Sequence, residues 1–326
     1  LGDVYKRQYI KRMNDKMEVI MRNNEQIVNT KEPYTYERLQ EDLKKLKDKY
    51  SFLQIETIGE SIQKRAIQSV RIGTGQNEVM YSASIHANEY ITTNVLMKFI
   101  EDFCDAYVRD DDIFEHSAKM IFNTSSIYIV PLLNPDVVEL VTGNIREGSQ
   151  DYMHYKRIAD QFPTIPFPSG WKANYNGVDL NLQFPAGWPE AREIKFAQGF
   201  NRPAPRDFVG FGPLTEPEAL AIYNFTLKHN FRLILAYHTQ GEVIFWRYSN
   251  YLPQDSAEIG KIFSKVSGYT LSSTPLESSN AGLKDWFIMQ FNRPGYTIEA
   301  GLGTNPLPMS QFDKIYNDNL GILVLG

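Results

Sequence analysis

A single cysteine in 326 residues, Cys104, rules out an intrachain disulfide. Such sparing use suits a reducing compartment, and a bacterial cytoplasm is the favoured setting. No stretch approaches the roughly 18 consecutive apolar residues of a membrane span. Basic residues are scattered and outnumbered, 34 against 39 acidic ones, so a net charge of -5 leaves no footprint for nucleic acid. Near the start there is neither an apolar h-region nor a small-residue cleavage site, which reads as no signal peptide. The chain opens on Leu1 rather than Met, so a fragment or added residues are expected there. A secreted or wall-associated protein fits if the natural start has been lost. Internal repeats and low-complexity tracts are also missing, and nothing in the sequence sets an oligomeric state.

What is there has the length and composition of a soluble globular protein able to bury a sizeable core. Leu1 to Thr30 is polar and Met-rich with a loose helical pattern, and residues 1–33 read as an extension or linker remnant ahead of one domain at 34–326. Leu39, Leu43 and Leu46 share one helical face behind a candidate N-cap, Thr35. Leu53 to Ile58 and Ala66 to Ile72 alternate as half-buried strands. Val79 to Ile85 is a short apolar run, after which Ile91, Val95, Leu96, Phe99, Ile100 and Phe103 recur at helical spacing. Ser126 to Leu133, Arg232 to Tyr237, Val243 to Trp246 and Tyr296 to Ile298 are further strands. Helices are expected over Glu216 to His229, opened by a Thr215/Glu218 capping box, and over Asp255 to Val266, Leu283 to Phe291 and Pro308 to Val324. Gly143 to Pro213 has little periodicity and reads as a long loop region of the kind that walls a pocket. The alternation predicts an α/β fold, a three-layer α/β/α sandwich on a mixed, mostly parallel sheet.

His86, His238 and Glu299 each follow an apolar run, and Glu89 lies three residues beyond His86. Ligands of open α/β sheets gather at the carboxyl ends of strands, so these side chains meet if their strands are neighbours. Two imidazoles and a carboxylate are a sufficient donor set for one zinc ion. Glu299 would then stand beside the metal as proton carrier. His-x-x-Glu alone is a weak signal, since two polar residues near a helix start can simply cap it.

The ordered set His86-Ala-Asn-Glu89, Asn134-Pro135-Asp136, Gly177-Val-Asp-Leu-Asn181, Tyr237-His238-Thr-Gln-Gly241 and Thr297-Ile-Glu299 resembles the zinc carboxypeptidase family from about Tyr34 onward. The resemblance implies one Zn2+ on His86, Glu89 and His238, Glu299 as general base, and Asp179 as the carboxylate that orients the first histidine. It implies that Lys172 approximates the family's oxyanion-stabilising arginine, acting as a point charge. Two positions depart from the family. Asn181 is implied as a substrate contact, but Leu182 follows it where carboxypeptidases place an Arg that shares the clamp on a C-terminal carboxylate. Asn280, a further substrate-side candidate, falls at the nearest equivalent of a tyrosine that covers the site in many members. Gly177 to Trp188, Pro213 to Glu218, Lys284 to Phe287 and Asn305 to Pro308 resemble the γ-D-glutamyl-meso-diaminopimelate peptidase (endopeptidase I) branch. That likeness implies cleavage of the γ-D-glutamyl bond in cell-wall stem peptides or muropeptides, with Lys284, and more loosely Arg206, as cations for a diaminopimelate carboxylate. An ordinary metallocarboxypeptidase and an inactive muropeptide-binding protein are the alternatives. Cys104 is expected to be inert core, and Trp171, Phe184 and Trp188 wall packing.

Overall fold

The computed structural model describes residues 26–326. Most of the loose pattern at Leu1 to Thr30 therefore lies outside the described residues. Within 26–33, Val28 is buried, and the Ile27 and Val28 N–H groups donate to the Glu101 carboxylate. That segment lies against the body that follows.

The first helix, α1 (Tyr36–Lys49), begins where the Thr35 hydroxyl accepts the Arg38 N–H, as its sequence predicts. Three strands follow, β1 (Gln54–Glu60), β2 (Ala66–Ile72) and β3 (Asn77–Ser82), and then α2 (Ile91–Arg109). After a small ribbon (Asp112–Ile113 with His116–Ser117) come α3 (Ala118–Thr124), β4 (Ser125–Val130), α4 (Pro135–Val141), α5 (Gln150–Ala159), α6 (Trp188–Ala197) and α7 (Pro217–Leu227). The remainder is β5 (Leu233–His238), β6 (Val243–Phe245), α8 (Ser256–Ser267), β7 (Thr270–Ser272), α9 (Leu283–Phe291), β8 (Gly295–Glu299) and α10 (Phe312–Leu325). The eight strands form one sheet in the order β1-β2-β4-β3-β5-β8-β6-β7. Pairs β4/β3, β3/β5, β5/β8 and β6/β7 are parallel, whereas β1/β2, β2/β4 and β8/β6 are antiparallel. This is the mixed, mostly parallel sheet expected.

Alternation along the strands feeds two cores, one on each face. Val79, Tyr81, Leu233, Leu235, Tyr296 and Ile298 pack with side chains of α1, α2, α8 and α10. Met80, Val130 and Ile234 face the other way, against Ile222 and Phe225 of α7 and Trp286 and Phe287 of α9. Burying a side chain of this size stabilises the fold by roughly 1.5–3 kcal/mol, which is why the sheet carries helices on both sides. Cys104 is fully buried in the first core. Among the described residues no helix is long and apolar enough to cross a membrane.

Four local expectations need correction. The strand before His86 stops at Ser82, because Ser84 takes a left-handed φ of 49° and its hydroxyl is drawn to those of Thr92 and Thr93. No Thr215/Glu218 capping box forms: Glu216 is the N-cap, and its side chain makes no capping hydrogen bond. Gln183 Oε1 instead collects the Thr215 and Glu216 N–H groups and the Thr215 hydroxyl, while the Glu218 carboxylate accepts from Ile62 N–H and Asn174 Nδ2. The region 143–213 contains α5 and α6, which are short and bury so few positions that no period shows. The last helix begins at Phe312, after a 3-10 turn at Met309–Gln311.

Candidate active site

His238 is the last residue of β5 and Glu299 the last of β8, and the two are register partners across a parallel pair. Neighbouring strands place register partners on one face, so two residues 61 positions apart in the chain stand side by side. His86 arrives by a different route. Asn134 takes the carbonyls of Ile85 and Ala173 on its amide Nδ2, and Ala87 N–H donates to Lys172 C=O. These bonds pin residues 85–87 to the 171–174 segment. A 3-10 turn at Ala87–Glu89 then swings Glu89 back beneath the imidazole.

Glu89 bridges the two histidines: Oε1 is 3.0 Å from His86 Nδ1 and Oε2 is 2.9 Å from His238 Nδ1. The two Nδ1 atoms face each other at 3.2 Å. On the far side of the ring, His86 Nε2 lies 3.1 Å from Asp179 Oδ1. With the Nε2 hydrogen donated to Asp179, a neutral His86 presents a bare lone pair at Nδ1. Two imidazole nitrogens and two carboxylate oxygens then converge on one point, an arrangement that a cation between them would satisfy. The three ligand atoms lie within 4.8 Å of one another, and all three residues are buried. This donor set of two nitrogens and one oxygen fits zinc.

The charges reinforce one another. Burial pushes the His86 imidazole down, but the Glu89 and Asp179 carboxylates outweigh it and raise it to about 9. Burial pushes Glu89 up, yet His86, Lys172 and His238 hold it well below the usual carboxylate range. Lys172 Nζ sits 2.7 Å from Glu89 Oε1, which keeps the ammonium charged despite its burial. Glu299 is raised, by burial first and by the neighbouring Glu89 carboxylate as well. It is half-buried at the cavity edge, and no described group donates to it.

A cavity of about 750 Å3 opens over these residues. Lys172, Asp179, Asn181, Arg206, Lys284 and Glu299 all line it. Lys284 lines it with a committed head group, 2.6 Å from Asp285 Oδ1 and bonded to Arg247 C=O and Thr274 Oγ1. Asn181 Oδ1 accepts the Leu283 N–H. Asn280 is off the wall, its Oδ1 taking the Tyr248 hydroxyl at 3.1 Å. Leu182 packs with Ala191, Val209 and Ala281 and offers no donor. Trp171 and Phe184 are wholly buried and the Trp188 indole donates to Val209 C=O, so all three are wall packing.

Several residues near the site were not singled out from the sequence. Asp207 donates its N–H to Asp179 Oδ2 at 3.1 Å and holds Lys195 Nζ and Arg206 Nε on its own carboxylate. Asn305 exchanges hydrogen bonds with Thr239, the residue after His238. Asn305 opens a stretch that carries the resemblance and Arg206-Asp207 is a charged pair in a region otherwise rich in Gly, Pro and aromatic residues, but the contacts themselves show only in three dimensions.

A helix-covered sheet with two histidines and a glutamate converging at its strand ends, beside a second glutamate, defines a metal-dependent hydrolase. The chain belongs to the zinc carboxypeptidase family, whose sequence model matches residues 39–321, and is a zinc metallopeptidase of that family. It is 43% identical over 302 residues to gamma-D-glutamyl-L-diamino acid endopeptidase 1 of Lysinibacillus sphaericus, across 92% of this chain and 74% of that protein. An uncharacterised Bacillus subtilis (strain 168) protein, YqgT, is 39% identical over 293 residues, 89% of this chain and 76% of its own length. Carboxypeptidase A from Helicoverpa armigera superposes with a TM-score of 0.68 at 18% identity, covering 93% of this chain and 75% of that one, a likeness of fold.

Proposed function

We propose that this chain hydrolyses the γ-D-glutamyl to diamino acid bond of bacterial cell-wall peptides, using one zinc ion held by His86, Glu89 and His238. The hydrolase reading is carried by one observation: both Nδ1 atoms and the Glu89 carboxylate face one point beside Glu299. Zinc bound there supplies a Lewis acid that polarises a carbonyl and acidifies a water.

The chain's own groups do the rest. Asp179 Oδ1 keeps the proton of His86 on Nε2, so the Nδ1 lone pair stays free for the metal. The Glu299 carboxylate, raised by burial, takes a proton from the attacking water and gives it to the leaving amine. Lys172 brings a positive charge to the Glu89 side of the site, where the carbonyl oxygen gathers negative charge.

Substrate class is supported by the 43% identical endopeptidase and by Leu182. An apolar side chain at that position denies a C-terminal carboxylate the bidentate contact a carboxypeptidase makes, which disfavours plain exopeptidase action on α-peptides. The test is to incubate the zinc-loaded protein with L-Ala-γ-D-Glu-meso-diaminopimelate and with α-linked peptides. Release of a diaminopimelate product from the first only is expected, and Glu299→Gln should keep zinc while losing roughly 100-fold or more in turnover. Full activity of Glu299→Gln, or release of C-terminal residues from α-peptides alone, would refute the reading.

A further inference from the structure

Four cationic side chains line the cavity: Lys172, Lys195, Arg206 and Lys284. Each lysine ammonium already sits on a carboxylate, Lys172 on Glu89, Lys195 on Asp207 and Lys284 on Asp285. Arg206 differs from them. Only its Nε is engaged, 2.7 Å from Asp207 Oδ2, and no described residue takes Nη1 or Nη2. Asp207 is shared between two cations, so the Lys195/Asp207/Arg206 trio carries one positive charge in excess. The arginine is also anchored. Asp207 has a left-handed φ of 65°, which lets its N–H donate to Asp179 Oδ2 while its carboxylate holds both cations, and Lys195 behind it is buried. A guanidinium fixed at Nε presents its two outer nitrogens as a pair, the geometry that suits a carboxylate bidentately.

From this we infer that Arg206 is the specificity residue that binds a substrate carboxylate, with Asp207 and Lys195 positioning it. The inference rests on the proposed function and deepens it. A bond made through the γ-carboxyl leaves the glutamyl α-carboxylate free, a charge that an α-linked peptide lacks at that place, and the diamino acid brings carboxylates of its own. Both sources present the same chemistry to Arg206. The anchor that Leu182 cannot supply thus comes from a different segment, and the hydrogen-bonded path Arg206–Asp207–Asp179–His86 ties it to the metal ligands.

The experiment measures kcat/KM of zinc-loaded wild type, Arg206→Gln and Arg206→Lys on three peptides. These are the parent γ-D-glutamyl-diamino acid peptide, the same peptide with its glutamyl α-carboxylate as carboxamide, and the same with its diamino acid carboxylates as carboxamides. Arg206→Gln should lose roughly 10- to 100-fold on the parent. Against the analogue that lacks the recognised carboxylate, wild type and Arg206→Gln should be about equal, and that analogue identifies the source. Arg206→Lys, with the charge but not the fork, should fall between. Without Arg206, Asp207 still holds Lys195 and still donates to Asp179, so zinc content should be unchanged. An equal loss on all three peptides, or a wild-type preference for carboxylate that survives in Arg206→Gln, would overturn the inference alone. Absence of cleavage of any γ-glutamyl peptide by wild type would overturn it together with the proposed function.

Discussion

Replacing Asp179 by Asn removes one charge, keeps the shape, and should cost the chain most of its zinc affinity. The aspartate accepts three hydrogen bonds, His86 Nε2 at 3.1 Å and Asn181 N–H at 3.2 Å on Oδ1, and Asp207 N–H at 3.1 Å on Oδ2. An asparagine has a single acceptor oxygen. If its NH2 faces His86, Nε2 must become the bare nitrogen and the hydrogen moves to Nδ1, the atom aimed at Glu89 and His238. If the NH2 faces Asp207, two N–H groups oppose each other in a buried place, at about 1–3 kcal/mol. Either way zinc affinity should drop roughly 10- to 100-fold, or about 1.4–2.7 kcal/mol. Competition with a chromophoric chelator measures it, and pH adds a second check. In the metal-free chain, despite burial, the Glu89 and Asp179 carboxylates raise the His86 imidazole to about 9, so its proton is held at pH 7 and released as pH climbs through that value. Zinc must displace that proton, so wild-type affinity should rise about tenfold per pH unit up to about 9 and then level off. Asp179 helps to hold the proton, so removing it relieves part of the competition at pH 7 and none above pH 9. The gap between wild type and Asp179→Asn should therefore be widest at alkaline pH. Equal affinities at pH 9.5, or a gap larger at pH 7 than at 9.5, would refute this account of Asp179.

Two other predictions concern the fold. Burial raises the Glu218 carboxyl to about 7, although Ile62 N–H and Asn174 Nδ2 favour its charged form, so the folded state prefers it protonated. That preference is full below the ordinary value of 4.5 and is lost as pH rises through about 7. Between pH 5 and 8 the Glu218→Gln variant should therefore gain roughly 2–3 kcal/mol on wild type, read from urea midpoints, and an unchanged difference would deny the shift. A Cβ on Gly75 would lie 1.9 Å from the Thr124 carbonyl carbon and 2.1 Å from Ser125 N, and both are backbone atoms that cannot yield locally. Gly75→Ala should lower the thermal midpoint by about 5 °C or more, with kcat/KM of the folded fraction unchanged because the residue lies at the strand ends opposite the site. A midpoint within 1 °C of wild type would count against the close approach.

Which parts of this molecule could be read from its sequence follows from where each signal resides. Ala66–Ile72 and Leu283–Phe291 have the boundaries their patterns predict, since alternation and helical spacing are local properties of half-buried elements. His238 and Glu299 were legible because each apolar strand ends on its polar residue at the same sheet edge, and His86 and Glu89 because their motif follows an apolar run, although a turn rather than the strand itself carries them to the site. The failures share a cause. Thr215 lost its capping role to Gln183, 32 residues away, because a buried amide oxygen with three donors nearby outcompetes a local hydroxyl. Lys284 reads as a free cation in sequence, but Asp285, the Arg247 carbonyl and the Thr274 hydroxyl hold its ammonium. Beyond its neighbour Arg206, Asp207 gave no local sign, since its other partners Lys195 and Asp179 come from distant parts of the chain.

The same alternation that builds the core also decides which residues can be chemical. On β8, Tyr296 and Ile298 enter the core under α8 and α10, so Thr297 and Glu299 turn the other way and line the cavity. On β5, Leu235 and Tyr237 enter that same core, which leaves His238 beside Glu299. Because side chains alternate with a period of two, a slip of one residue in this parallel pair would send Glu299 into an aliphatic interior and bring Ile298 to the cavity. Burying an unpaired carboxylate there would cost several kcal/mol, and exposing isoleucine would forfeit about 2 kcal/mol more. The register that sets the base beside the histidine is thus held by the packing of Leu235, Tyr237, Tyr296 and Ile298, four residues with no chemistry of their own.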